Sequence, residues 1–160
     1  MKQESLHINY QRYTYQEIPE NVKELITHAK DAIQRAYAPY SKFRVGAALR
    51  LENGVIVTGN NQENVAYPSG LCAERVALFY ANSKYPDVPV LDLLVMAESG
   101  ENGITEQPVS PCGSCRQVLQ ETELRYNKDI KVMLAGKDEV WIFENGSQLL
   151  PLNFTDDFLP

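Results

Sequence analysis

The sequence predicts a single α/β domain, a mixed five-stranded sheet flanked by helices. Three observations predict it. An apolar stripe of helical period runs through residues 21–37. Two short strand-like runs flank an Asn53-Gly54 turn. A strand, a helix and a further strand then follow between residues 90 and 134, with lengths that suit a right-handed parallel crossover. At 160 residues, 44% of them hydrophobic, the chain is long enough to bury one ordinary core.

The elements are justified in chain order. Residues 1–20 are polar and tyrosine-rich and show no period, so they are expected to be an N-terminal extension that wraps the surface or meets another subunit. Residues 21–160 are expected to form the single domain. In its first helix Val22, Leu25, Ile26, Ala29, Ile33 and Ala36 share a face, Asn21 and Glu24 suggest a capping box, and Pro39 halts further helix. Residues 43–49 alternate as a strand and residues 55–58 return as its partner, because Asn-Gly accepts positive φ at low cost. Residues 59–71 are punctuated by Gly59, Pro68 and Gly70 and suit a loop. Residues 72–80 are helical and apolar nearly all round, which predicts burial. Strands are expected at 90–97, 130–134 and 140–143, with a polar loop at 100–107 and a helix at 112–124.

Composition excludes several function classes. The net charge is −6 and no basic stripe is present, so nucleic acid is not an expected partner. No apolar run approaches the ~20 residues that cross a bilayer. The polar start implies the cytoplasm, where thiols stay reduced, and no membrane association. Three cysteines are an odd number, which disfavours a disulfide framework.

Those three cysteines carry the chemistry. Cys72-Ala73-Glu74 and Pro111-Cys112-Gly113-Ser114-Cys115 lie about 40 residues apart and place a carboxylate beside the thiols. Cys112 and Cys115 share a helix face, and side chains in a first helical turn tilt toward the N-terminus. Two helix starts aimed at one spot would give a single zinc ion three sulfurs and leave one position open for water. Zinc lowers the pKa of such a water to roughly 7. Glu74 would then move protons without binding the metal. Arg75 would donate charge-assisted hydrogen bonds to a thiolate and offset its charge. Neither His7 nor His28 sits at a ligand spacing. A structural zinc site usually has four protein ligands, and no fourth is evident.

These residues resemble the zinc nucleoside and nucleobase deaminases, whose signature is His or Cys, then x-Glu, then Pro-Cys-x-x-Cys. The stretch Tyr37-Ala38-Pro39-Tyr40-Ser41-Lys42-Phe43-Arg44-Val45-Gly46-Ala47-Ala48-Leu49 is similar to a strand region of the small homotetrameric cytidine deaminases. Asn61-Gln62-Glu63-Asn64 resembles their ribose-binding segment, and Leu149-Leu150-Pro151-Leu152-Asn153-Phe154 their C-terminal one. The resemblance covers about residues 21–154. It implies a three-layer α-β-α cytidine deaminase-like fold, one zinc per chain on Cys72, Cys112 and Cys115, and a homotetramer with shared sites. It implies hydrolysis of cytidine and deoxycytidine to uridine, deoxyuridine and ammonia in pyrimidine salvage. Zinc hydroxide would attack C4 while Glu74 carries the protons. Phe43, Asn61, Glu63 and Ala73 would contact substrate, and Phe154 would stack on the base bound by a neighbouring subunit. The alternatives are a blasticidin-type or other modified-nucleoside deaminase, a non-catalytic zinc module, and a thiol redox protein using Cys112 and Cys115.

Overall fold

The computed structural model describes residues 1–155 and Leu159, so residues 156–158 and 160 of the expected 21–160 domain lie outside the described residues. Six strands and three α-helices follow one another along the described chain: β1 (Gln11–Thr14), α1 (Glu20–Ile33), β2 (Phe43–Leu51), β3 (Ile56–Asn60), α2 (Ala73–Lys84), β4 (Val90–Ser99), α3 (Gly113–Tyr126), β5 (Lys131–Ala135) and β6 (Glu139–Phe143). The sheet order is β1-β6-β5-β4-β2-β3. Only β4 and β5 run parallel, joined across α3, and the other pairs are antiparallel.

Side-chain alternation along the strands divides the core into two layers. Leu93 and Val95 of β4 point to the side where Ala77, Leu78 and Leu119 of α2 and α3 pack. Leu94 and Met96 point to the other side, against Leu25, Ala29 and Ile33 of α1. A sheet buried on both faces explains why β4 reads as a continuous apolar run. It also gives the expected three layers.

The sheet has six strands where five are expected. The additional one, β1, lies within the 1–20 extension and pairs with β6, Arg12 opposite Trp141 and Tyr13 opposite Val140. Four mostly exposed residues carry no apolar alternation for a sequence to show. Cross-strand contacts hold β1 instead. Tyr10 lies 5.2 Å from both Trp141 and Phe143, Arg12 Nε donates to Glu139 at 2.9 Å, and the Tyr15 hydroxyl donates to the Gly136 carbonyl at 2.6 Å.

Other bounds also differ. Helix α1 begins one residue before Asn21, after Pro19, and has no side-chain cap. Glu24 of the expected capping pair is engaged elsewhere, and Arg50 also takes the Asn21 backbone carbonyl. Arg50 Nη1 donates to Glu24 at 2.9 Å, Nη2 to the Asn21 carbonyl at 2.6 Å, and Nε to Asp92 at 3.2 Å, tying the first turn of α1 to the sheet. The hairpin turn is as expected, with Gly54 at φ +82 and its amide donating to Leu51. Helix α2 is buried on one side only, since Phe79 and Tyr80 are exposed on this chain. The 100–107 segment contains a short 3₁₀ turn, Gly100–Asn102, and Ile104 bridges back to Glu98.

Candidate active site

Cys72 and Cys112 are not the first helical residues but the N-caps of α2 and α3. Both have extended backbones, at φ −73, ψ 155 and φ −67, ψ 166. Neither side chain is used in capping, so both sulfurs remain available. Cys115 lies in the first turn of α3 and is buried, whereas Cys112 is exposed. Cys72 can face the same point as Glu74 because it stands just outside the helix. The two-residue spacing would set them on different faces if both were helical.

The three sulfurs form one cluster. Cys72 Sγ lies 3.7 Å from Cys112 Sγ, which lies 3.5 Å from Cys115 Sγ, and all three fall within 4.8 Å of one another. Tetrahedral zinc with bonds of about 2.3 Å sets its sulfurs about 3.8 Å apart, so the donor set fits the ion. A disulfide needs about 2.05 Å, and all three thiols are free. The two helix N-termini add partial positive charge beside the thiolates. Arg75 Nη2 donates to Cys72 Sγ at 3.7 Å. A hydrogen bond from Cys115, with help from Arg75, pushes the Cys72 thiol down to about 5. That same bond to Cys72, together with burial, pushes Cys115 up.

Glu74 is the second residue of α2 and is buried, at 4% exposure. Burial raises its carboxyl above the ordinary range, and Cys72 raises it further, against hydrogen bonds from its own amide and from Cys115. A carboxyl raised in this way is suited to holding and releasing a proton.

Cys72, Cys112, Glu74 and Arg75 line a cleft of about 830 Å³, and Phe43, Asn61 and Glu63 line it too. Glu63 Oε2 accepts the Tyr40 amide at 2.9 Å and the Ser41 amide at 3.3 Å, while Oε1 accepts the Ser41 hydroxyl. The Ser41 hydroxyl, with these amides, holds the Glu63 carboxyl below the usual range. The Asn61 side chain is bound to β2, with Oδ1 accepting the Val45 amide at 2.7 Å and Nδ2 donating to the Phe43 carbonyl at 2.9 Å. Its amide therefore fixes the cleft wall and keeps only its second N–H and lone pair for a ligand.

Two expected substrate contacts stand outside the cleft lining. Ala73, the first residue of α2, is fully buried. Phe154 is exposed, and its carbonyl accepts from Gln117 Nε2 at 3.2 Å. Sequence reasoning assigned no role to Ser41, Tyr40, Tyr67 or Val95, all of which line the cleft. The Tyr40 and Tyr67 rings meet edge-on at 6.5 Å. Ser41 carried one signal, its place just before Phe43, with Lys42 between them in the left-handed region at φ +57.

Comparison with known proteins agrees with this geometry. Residues 19–128 match the cytidine and deoxycytidylate deaminase zinc-binding region. A cytidine deaminase of Sporosarcina psychrophila is 48% identical over 101 residues, 63% of this chain and 69% of that protein. One of Halalkalibacterium halodurans is 41% identical over 131 residues, 82% of this chain and 92% of that protein. Among solved structures, the cytidine deaminase of Burkholderia pseudomallei superposes with a TM-score of 0.68 at 37% identity, covering 86% of this chain and all of the other. The family match removes the redox reading of Cys112 and Cys115, which spacing alone leaves open. A three-sulfur cluster, a buried carboxyl beside it and a match over residues 19–128 together place the chain in the cytidine and deoxycytidylate deaminase family, with one zinc per chain.

Proposed function

We propose that this protein hydrolyses cytidine and deoxycytidine to uridine and deoxyuridine, releasing ammonia. The observation that carries the reading is the buried Glu74 carboxyl lining the same cleft as Cys72 and Cys112. When bound, zinc supplies Lewis acidity, lowering the pKa of a coordinated water to about 7. Cys72, Cys112 and Cys115 hold the metal, and Arg75 partly neutralises their charge.

Glu74 takes a proton from water, delivers it to N3 of the pyrimidine, and later carries one to the departing amine. Phe43 supplies an apolar wall for the nucleoside. Glu63 accepts from a sugar hydroxyl, and Asn61 keeps the wall beneath it in place. A carboxylate held in its charged form repels phosphate, which favours a nucleoside over a nucleotide. Ala73 is fully buried, so its contact with substrate would be made through the backbone.

Phe154 would act in the cleft of a neighbouring subunit of a homotetramer. Its exposure supports that reading, as do the exposed Phe79, Tyr80 and Leu124. Three free cysteines are consistent with a reducing cytoplasm, and no helix among the described residues is long and apolar enough to cross a membrane. The chemistry suits pyrimidine salvage.

The test is ultraviolet monitoring of cytidine conversion, with zinc counted per chain on the same sample. Deoxycytidine, cytosine, deoxycytidine monophosphate and blasticidin S are run in parallel. Turnover of the two nucleosides by zinc-loaded protein is expected. Zinc-loaded protein that leaves both unchanged overturns the reading, and turnover of blasticidin S alone transfers it to a modified-nucleoside deaminase.

A further inference from the structure

We propose that Arg116 is a positioning residue for the metal ligand Cys112. The proposal rests on the zinc assignment above and extends it to a side chain outside the metal cluster and the cleft lining.

Cys112 is the least supported of the three ligands. Cys115 is buried within helix α3, and Cys72 receives a hydrogen bond from Arg75. Cys112 is exposed and makes no side-chain cap bond, and its sulfur bonds to the Cys72 and Cys115 sulfurs within the cluster. Outside the cluster, its sulfur is held where its backbone holds it.

Arg116 grips that backbone at two successive carbonyls. Its amide donates to the Cys112 carbonyl at 3.0 Å as part of the helix. Its guanidinium folds back, and Nε donates to the Pro111 carbonyl at 2.8 Å. The peptide entering Cys112 and the peptide leaving it are thus bound by one residue. The other arm of the guanidinium, Nη1, donates to the Leu149 carbonyl at 2.8 Å.

Leu149 is a firm support. It ends the 3₁₀ turn Ser147–Leu149, which the carboxylate of Glu123 holds at its other end. Glu123 Oε1 accepts the Gly146 amide at 2.6 Å and the Ile130 amide at 2.8 Å, and Oε2 accepts the Ser147 amide at 3.0 Å. The turn is strapped to α3 by an anion at its amide end and a cation at its carbonyl end. Arg116 joins this strut to the metal loop. A planar guanidinium can reach two carbonyls at once, whereas an ammonium is a point charge on a flexible stem.

The experiment compares zinc-loaded wild type with Arg116→Ala, Arg116→Lys and Glu123→Gln. The readouts are the rate of zinc transfer to a chromophoric chelator, at a temperature where circular dichroism shows each protein folded, and the melting temperature. Residues that orient metal ligands are typically worth about 10–100-fold in affinity, so release from Arg116→Ala is expected to be faster by about that factor, with Arg116→Lys between it and wild type. Glu123→Gln loosens the strut without touching Pro111. It is expected to lower the melting temperature and to speed zinc release by less than Arg116→Ala does.

If Arg116→Ala does not fold, Arg116→Lys decides alone, and release at the wild-type rate overturns the proposal. Equal release from Arg116→Ala and wild type overturns it too. So does Glu123→Gln releasing zinc as fast as Arg116→Ala, since general loosening would then account for both. Wild-type protein that takes up no zinc overturns the metal assignment and this proposal with it. Wild-type protein that holds zinc while Arg116→Ala matches it overturns this proposal alone.

Discussion

Gly59 of β3 lies directly against Ala73, the first residue of α2. A methyl group on Gly59 would stand 2.4 Å from the Ala73 carbonyl oxygen and 2.6 Å from the Ala77 amide nitrogen. The helix that presents Cys72 and Glu74 is therefore seated on bare backbone. Gly59→Ala must lift it. Overpacking of this kind costs typically about 1–3 kcal/mol, occasionally more, and here the displacement also moves a metal ligand. A lower melting temperature and a reduced zinc count are expected. A variant matching wild type in both would show that α2 is not fixed at this contact.

Glu74→Gln keeps the size of the side chain and removes its proton chemistry. The variant is expected to fold and bind zinc normally, with kcat reduced by about 10²–10⁴-fold, the range for a positioned acid–base group. Circular dichroism, metal content and nucleoside turnover on one sample check this. Unimpaired turnover would exclude Glu74 as the proton carrier.

Arg75→Ala removes the hydrogen bond that Nη2 donates to Cys72 Sγ. Zinc affinity is expected to fall by about 10–100-fold, as for other groups that support a ligand. Competition with a chelator of known affinity measures it. Unchanged zinc affinity and turnover would refute the role.

Ser41→Ala tests the cleft wall through pH. The Ser41 hydroxyl is the largest cause of the lowered Glu63 carboxyl. With the folded value below the unfolded one, the Glu63 interaction is present above the unfolded value and is lost as pH falls through the folded value. Removing the hydroxyl raises the folded value toward the ordinary one. The rise in KM on the acid side should therefore begin at a higher pH in the variant. Superimposable acid limbs of KM against pH would contradict it.

The sequence made the three-sulfur cluster legible because its chemistry is local. Cys112 and Cys115 are bound to lie close together, and their separation of 3.5 Å follows from one turn of helix. The strands of the buried sheet were legible for a similar reason, since β4 is apolar on both faces. What stayed hidden depends on partners remote in sequence. Gly59 reads as loop punctuation until α2 is laid across it. Asn21 and Glu24 read as a cap until Arg50 takes the Glu24 carboxylate and the Asn21 backbone carbonyl. Ser41 is one polar residue among several until Glu63, 22 positions on, accepts its hydroxyl. Strand β1 has no pattern of its own, because its contacts are supplied by β6.

The strand that joins β6 also governs what light can report about this protein. Trp141 is the chain's single tryptophan, lies under Tyr10 and Arg12, and is absent from the cleft lining. Its emission should shift when the first eighteen residues are cut away, and should barely respond when a nucleoside enters. The N-terminal arm thus comes with a built-in optical probe, and the catalytic end of the molecule does not.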